Sequence, residues 1–136
     1  MKKTTEPSFE QLSSAKELPQ DVSFDMVNIL KFKQSATYEH SSDDQEHFSG
    51  QQAYGEYAKV ILPLINKIGG KIIYAGRSDL HFVGDKEQDY DNLVIVRYPS
   101  RGAYLSMVNS DAYQAVIKHR IAGLEFRVLN QLTPLL

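Results

Sequence analysis

The order of the predicted secondary-structure elements indicates an α+β fold of the ferredoxin-like type. Short apolar runs with strand character alternate with segments whose apolar residues recur at helical spacing. Their order along the chain is strand, helix, strand, strand, helix, strand, which is the split β-α-β unit twice over (βαββαβ). We therefore predict a four-stranded antiparallel sheet with both helices on one face. The predicted elements are strand 24–33, helix 49–68, strand 71–78, strand 91–98, a helical region 100–124 and strand 125–132.

The first strand and the first helix have clear local signals. The strand, FDMVNILKFK, is apolar at its centre on both alternating faces, so we expect it to be covered on both sides. Ser49 and Gln52 form a capping-box pattern at the start of the helix. Pro63 lies inside the helix, where it removes a backbone hydrogen bond and predicts a kink. Gly69 and Gly70 end the helix, because glycine can adopt the left-handed cap conformation.

The second half of the chain repeats this pattern. The second strand, KIIYAGRS, follows the glycine pair directly, and the polar run DKEQD connects it to a third strand with an LVIV centre. Pro99 ends the third strand because proline cannot donate to the sheet. Ser100 is the predicted N-cap of the following helix, which Asn109 and Ser110 interrupt, so that two helical segments are predicted. The last strand, EFRVLNQL, alternates between two faces.

Length and composition bound the possible functions. A chain of 136 residues predicts one domain, 23–136, preceded by an N-terminal extension, 1–22, that is partly disordered with a possible short helix at 8–15. The net charge of -2 argues against a nucleic-acid partner. No apolar run approaches the ~18 residues of a membrane span, and no apolar run follows the lysines at the start, so we expect a cytoplasmic protein without a membrane partner.

Neither a metal nor a cofactor is expected. The chain has no cysteine, which excludes thiolate ligands and disulfides. His40 and His47 flank carboxylates in the loop 34–48, but their spacing places no pair of ligands on one helical face, and a solvated charged loop is the favoured interpretation. A single helical histidine, His119, is too little to predict a haem site.

The first and third strands indicate self-association. Neither alternating face of these strands is clearly polar, although the helices can cover only one face of the sheet. A large exposed apolar face is unfavourable in a monomer. We therefore predict a two-fold homodimer in which two sheets pack face to face, so that the expected protein partner is a second copy of the chain.

The candidate site lies around the second helical region. Tyr113 and Arg120 are seven residues apart and share a helical face, while Arg101 stands at the start of the region. Clustered cationic groups favour a carboxylate or enolate oxygen of a small-molecule ligand. His119 is the best catalytic candidate, because it can titrate near neutral pH and transfer a proton. The predicted substrate-binding residues are Asn28, Tyr57, Arg101, Tyr113 and Arg120.

Each of these residues also has a purely structural interpretation. Asn28 lies in an apolar row, where its amide could bond a neighbouring loop instead of lining a pocket. Tyr57 is equally typical of a core aromatic residue. Arg120 could be a surface arginine that pairs with Glu125 or Asp111.

Three stretches resemble one small bacterial family. They are MVNILKFK at 26–33, GGKIIYAG at 69–76 and VRYPSRGAYLSMVNSDAYQAVIKHRIAGL at 96–124. Together they resemble domain-of-unknown-function family 1330 (DUF1330), within the dimeric α+β barrel superfamily, over about residues 20 to 132. The resemblance implies a ferredoxin-like protomer and a sheet-to-sheet dimer, and it supplies no reaction. The positions that match the family pattern are Asn28, Tyr57, Gly70, Arg101, Tyr113, Gln114, His119 and Arg120.

Two functions stay open on the sequence alone. In the first, the protein binds or transforms a small organic acid or aromatic compound between the sheet and the helices, by cofactor-independent oxidation or proton transfer in analogy to the fold. In the second, it is a non-enzymatic homodimeric interaction or stress-related module. The second predicts an interior filled by side chains, with Arg120 locked in an internal ion pair.

Overall fold

A computed structural model describes residues 3–39 and 47–136, which fold around one four-stranded antiparallel sheet. The predicted βαββαβ order and the antiparallel sheet are confirmed. The strands are β1 (Phe24–Phe32), β2 (Lys71–Arg77), β3 (Asn92–Tyr98) and β4 (Leu124–Leu132). The helices are α1 (Phe9–Lys16), α2 (Gly50–Lys67), α3 (Arg101–Val108), α4 (Asp111–Gln114) and α5 (Ile117–Gly123), and a short 3-10 turn (Lys86–Gln88) lies between β2 and β3.

The strand order across the sheet is β2-β3-β1-β4, so the two most apolar strands are central. Asn28 of β1 lies opposite Val94 of β3 and Leu129 of β4. This register places one alternating set of side chains under the helices and the other set on the opposite face. The strand β4 is at one edge of the sheet and β2 is at the other.

The helices pack on one face of the sheet, as predicted. The core between them and the sheet contains Phe24, Met26, Tyr57, Ile61, Ile65, Val96, Tyr98, Met107 and Tyr113. The other face carries an apolar row across the central strands, consisting of Val27, Ile29, Leu93 and Ile95, which are partly exposed in the single chain. No helix within residues 3–39 and 47–136 is long and apolar enough to cross a membrane.

Local capping signals explain where α2 begins and ends. The Ser49 hydroxyl accepts from the Gln52 amide at 3.1 Å, and the Gln52 side chain accepts from the Ser49 amide at 2.8 Å, which confirms the predicted capping box. The helix continues through Pro63 to Lys67. Gly69 follows with a φ of 86°, the left-handed conformation that the glycine pair predicted.

The second helical region is more divided than predicted. Ser100 caps α3, as predicted, and Ser110 caps α4. A further break at Val116, where φ is -113° and ψ is 0°, separates α4 from α5. That break was not predicted, because Val116 has no glycine or proline beside it.

The backbones of α2 and α5 approach each other closely at two glycines. A Cβ atom on Gly50 would lie 2.5 Å from the Gly123 carbonyl oxygen and 2.1 Å from that of Lys33. The Lys33 backbone bridges the two helices, since its amide donates to Gly123 at 2.8 Å and its carbonyl accepts from Gly50 at 3.0 Å. This contact fixes α5, and therefore Arg120, against α2.

The N-terminal residues lie beside the edge strand. The amide of Arg127 in β4 donates to the carbonyl of Thr4 at 3.1 Å. Downstream of this contact, α1 is capped by Ser8 and has no buried residue. The division into an extension and a single domain stays a prediction, and His40 of the candidate metal loop is outside the described residues.

Candidate functional site

Arg120, on α5, is the buried charge around which the site is arranged. Its side chain is 4% exposed. Nη1 donates to the Tyr113 hydroxyl at 2.9 Å, and Nη2 donates to Oε1 of Glu6 at 2.7 Å. The guanidinium also lies 5.4 Å from the ring centre of Tyr57. Among the residues that the structure describes, no acceptor reaches its buried Nε, so one donor is unpaired.

Two buried phenols continue the hydrogen-bonded chain from Arg120. The hydroxyls of Tyr57 and Tyr113 are 2.7 Å apart, and their rings meet edge to face with centroids at 5.8 Å. Burial raises the pKa of Tyr57, and the neighbouring Tyr113 raises it further. The Tyr57 phenol is therefore neutral near pH 7 and can donate a hydrogen bond, but it cannot act as a base.

Glu6 and Arg127 complete the charged part of the site. Nη2 of Arg127 lies 3.5 Å from Oε2 of Glu6, and the Arg127 side chain is 10% exposed. Burial lowers the pKa of Arg120, but Tyr113, Tyr57 and Glu6 together outweigh it, so that the pKa is raised overall and the group stays charged. Two guanidinium groups thus face one carboxylate, which leaves a surplus positive charge.

The carboxylate partner of Arg120 differs from the two that the sequence suggested. Glu125 instead pairs with Lys3 at 2.9 Å. Asp111 is in the first turn of α4. The actual partner, Glu6, is 114 positions from Arg120, so no local pattern indicates it. Arg127 was also missed, although it is two positions from Leu129 and therefore shares its strand face, which packs against the core. A charged residue on that face was a usable signal.

His119 is adjacent to Arg120 in sequence and has different neighbours. Its Nδ1 is 2.7 Å from the Tyr38 hydroxyl, and the two rings meet edge to face at 5.5 Å. Partial burial lowers the pKa of His119, and the charge of Lys118 lowers it further. One residue along a helix is a rotation of ~100°, which explains why neighbouring side chains point in different directions.

Asn28 has the hydrogen bonds of a structural residue within the sheet. Its Nδ2 donates to the carbonyls of Met26 at 3.1 Å and Val94 at 3.2 Å. Both acceptors are backbone atoms of the central strands, so the two donors of the amide nitrogen are satisfied where they lie. The side chain is on the helix-facing side of the sheet and is half-buried.

Arg101 is anchored at the other end of β4. It is buried, and it donates to the Gln131 side chain at 2.6 Å and to the Pro19 carbonyl at 3.0 Å. Four positions along a strand separate Gln131 from Arg127, a distance of ~13 Å. Tyr57, Tyr113 and Arg120 are thus brought together, whereas Arg101 links Pro19 to Gln131 of β4.

The interior beside Arg120 is filled by aromatic side chains. Tyr54 packs on Tyr57 with ring centroids at 5.3 Å, and it also packs on Phe32 at 5.5 Å. A prominent open groove, of about 360 Å³, is formed by other residues, which include Lys33, Ser49, Arg77 and Asp91. A filled interior and an ion-paired Arg120 are the two features that the interaction-module hypothesis predicted.

Comparison with known proteins identifies the family. The sequence matches the family described as Domain of unknown function (DUF1330) over residues 44–130, which is more than half of the chain. The protein belongs to the DUF1330 family. The resemblance stated from the three sequence stretches is thereby confirmed. Among curated proteins, none matches this DUF1330 chain.

Solved structures support the same fold. The methylated RPA0582 protein is 27% identical, with a TM-score of 0.88 and coverage of 99% of this chain and 97% of that one. A second structure of RPA0582, described as a protein of unknown function from Rhodopseudomonas palustris, is 25% identical with a TM-score of 0.88, and 98% of each chain is covered. A dabb family protein with a ferredoxin-like fold from Mesorhizobium loti is 15% identical, with a TM-score of 0.52 and coverage of 83% and 97%. This last likeness confirms the ferredoxin-like fold alone.

Proposed function

We propose that this DUF1330 protein binds the carboxylate of a small organic or aromatic acid at Arg120, between the sheet and the helices. The observation that carries the proposal is the buried guanidinium with an unpaired Nε among the described residues. A buried donor without a partner costs free energy, which a ligand oxygen at hydrogen-bond distance would recover. The surplus positive charge of Arg120 and Arg127 over Glu6 favours an anionic ligand.

The surrounding phenols suit recognition of oxygen atoms. Tyr113 and Tyr57 contribute two hydroxyl groups to a hydrogen-bonded chain that ends on Arg120. Burial raises the pKa of Tyr54, which packs beside them, to about 12, so it too is neutral near pH 7.

Within this proposal, proton transfer stays with His119. Of the six residues that the sequence selected, His119 alone titrates near neutral pH as a free side chain. Its contact with Tyr38 places it outside the hydrogen-bonded chain of Arg120, so binding and proton transfer would use different groups. Cofactor-independent oxidation stays an expectation from analogy to the fold.

Titration with benzoate tests the proposal, with benzamide as a neutral compound of the same shape. Calorimetry should detect benzoate and should not detect benzamide, because the guanidinium distinguishes the two by charge. Arg120→Met should abolish benzoate binding. Arg77→Met, which removes an arginine whose side chain is 82% exposed, is the matched control and should bind as the unmodified protein does. Equal binding of benzoate by the folded Arg120→Met variant would exclude the site.

The open face of the sheet favours a second candidate, a non-enzymatic homodimeric interaction or stress-related module. Val27 and Ile29 of β1 lie opposite Ile95 and Leu93 of β3 and form a continuous apolar row that the helices of the same chain do not cover. A second copy packed on this row would remove the apolar surface from water. The same dimer is compatible with ligand binding, since the helix-facing site is on the other side of the sheet.

Sedimentation at micromolar concentration tests the homodimer. The unmodified protein should sediment as a dimer, and Ile95→Lys should sediment as a monomer, because it places a charge in the centre of the apolar row. Leu62→Lys, at a residue of α2 that is 44% exposed, is the control and should remain dimeric. A monomeric unmodified protein would contradict the proposed dimer and leave the carboxylate site to be judged by the titration above.

A further inference from the structure

The carboxylate that Arg120 holds belongs to a segment at the start of the chain. We propose that residues 3–7, named here the strap, are a displaceable internal ligand: Glu6 occupies the carboxylate subsite, and a free acid binds by taking its place. This inference rests on the proposed function of Arg120. It specifies that Glu6 occupies the site when no ligand is bound and that the strap must move when a ligand binds.

Glu6 uses only one of the two donors that a carboxylate can bind on the same side of an arginine. The Arg97–Asp25 ion pair of the same protein shows the complete arrangement. Arg97 binds Asp25 through the two donors on one side of its guanidinium, with Nε at 2.8 Å and Nη2 at 3.0 Å from the two carboxylate oxygens. Arg120 has the same pair of donors, but only Nη2 reaches Glu6, and Nε is unpaired among the described residues. The second oxygen of Glu6 is 3.5 Å from Arg127. A free carboxylate, which no chain restrains, can bind Nε and Nη2 together.

The residues of the strap are themselves mostly exposed, and their contacts to the rest of the chain are polar. Lys3 and Glu125 form an ion pair in which the two side chains are 42% and 40% exposed. The carbonyls of Thr4 and Thr5 accept from the backbone amide and from Nε of Arg127, respectively. None of residues 3–7 is buried. Exposed ion pairs contribute little to stability, and segments with few buried apolar contacts open at low free energy.

The different exposure of Glu6 and Arg120 shows from which side a ligand can enter. The Glu6 side chain is 46% exposed, whereas that of Arg120 is 4% exposed, so solvent reaches the ion pair from the side of the strap. Tyr113 accepts from Nη1, and the centre of the Tyr57 ring lies 5.4 Å from the guanidinium carbon, so these two directions are occupied. Because the interior is filled, a ligand larger than a carboxylate group has room only where the strap lies.

Competition with the strap weakens the apparent affinity for a free acid. The apparent dissociation constant equals the intrinsic constant divided by the fraction of molecules in which the site is open. A strap that is closed in about nine molecules of ten therefore raises the apparent Kd ~10-fold. Removing the negative charge of Glu6 weakens the competing contact, because a charge-assisted hydrogen bond is roughly twice as strong as a neutral one.

The experiment compares benzoate binding by the unmodified chain, Glu6→Gln and Glu10→Gln. The control residue Glu10 lies in the exposed first turn of α1, four positions further along the extension. Glu6→Gln should bind benzoate more tightly than the unmodified chain and the control, by up to the ~10-fold that full opening of the strap would give. Glu6→Asp, which keeps the charge on a shorter side chain, should give an intermediate affinity.

Hydrogen exchange provides a second readout that needs no variant. The Arg127 amide donates to Thr4 of the strap, so saturation of the unmodified chain with benzoate should speed its exchange. Equal affinities of Glu6→Gln and the unmodified chain, or unchanged Arg127 exchange in a benzoate-saturated sample, would overturn the strap and leave the proposed carboxylate site standing. Absence of benzoate binding in every folded variant would overturn both. If Glu6→Gln does not fold, Glu6→Asp and the exchange measurement decide the outcome.

Discussion

Removing the Tyr113 hydroxyl should destabilise the protein more than removing the Tyr57 hydroxyl, because Tyr113 lies in the middle of the buried hydrogen-bonded chain. The Tyr113 hydroxyl bonds Arg120 at 2.9 Å and Tyr57 at 2.7 Å, so it is the middle member of the chain. Tyr113→Phe breaks both bonds and leaves Nη1 of Arg120 and the Tyr57 hydroxyl without these partners. Tyr57→Phe breaks one bond and leaves Tyr113 bonded to Arg120.

The difference in magnitude follows from the number of buried groups left unpaired. A hydrogen bond contributes ~1 kcal/mol net, whereas each buried polar group left without a partner costs ~1–3 kcal/mol. We therefore expect Tyr57→Phe to lower the free energy of unfolding by ~1 kcal/mol and Tyr113→Phe to lower it by ~2–6 kcal/mol. Both changes are measurable against a typical total of ~5–15 kcal/mol.

Urea denaturation followed by circular dichroism measures both variants, with the slope of the transition compared to confirm that the unfolded state is unchanged. The double variant should be less destabilised than the sum of the two single variants, because both remove the shared hydrogen bond. The reasoning is refuted if Tyr57→Phe is as destabilising as Tyr113→Phe, or if both cost less than ~0.5 kcal/mol, the range of ordinary surface substitutions.

Two further predictions concern the helix contact and the histidine. Gly50→Ala places a Cβ 2.1 Å from the Lys33 carbonyl oxygen, so it should lower the free energy of unfolding by ~1–3 kcal/mol. The control Gly55→Ala, whose Cβ meets nothing within 4 Å, should raise it by ~0.5–1 kcal/mol. Equal melting temperatures of the two variants would contradict this prediction. The lowered pKa of His119 means that the unfolded chain binds more protons near pH 6.5, so stability should fall as the pH drops through that value. His119→Gln should flatten that part of the stability curve, and an NMR titration that gave His119 a pKa above 6.5 would contradict the prediction.

Local signals were enough to predict the elements of this protein. The capping box of Ser49 and Gln52 and the cap at Ser100 were found at the predicted positions, because a cap is a bond between a side chain and a backbone group three residues away. Strand parity likewise predicted which strands are apolar on both faces, since alternation depends only on the backbone repeat. The βαββαβ fold followed from the order of these elements.

The composition of the site depended on contacts that no local pattern contains. Tyr113 and Arg120 could be placed together from helical spacing, but the carboxylate partner of Arg120, Glu6, is 114 positions away in the sequence. Its position at the start of the same helical region grouped Arg101 with them, whereas the structure bonds it to Gln131 at the far end of β4.

The sequence by itself therefore determined the fold of this DUF1330 protein and the polar face of its second helical region, because both follow from periodicity over a few residues. Only the tertiary structure decided that Glu6 pairs with Arg120, that Arg127 joins them, and that Gly50 meets Gly123. The physical reason is that these contacts form where distant parts of the chain cross, and the crossing points are set by packing the whole core rather than by any one segment.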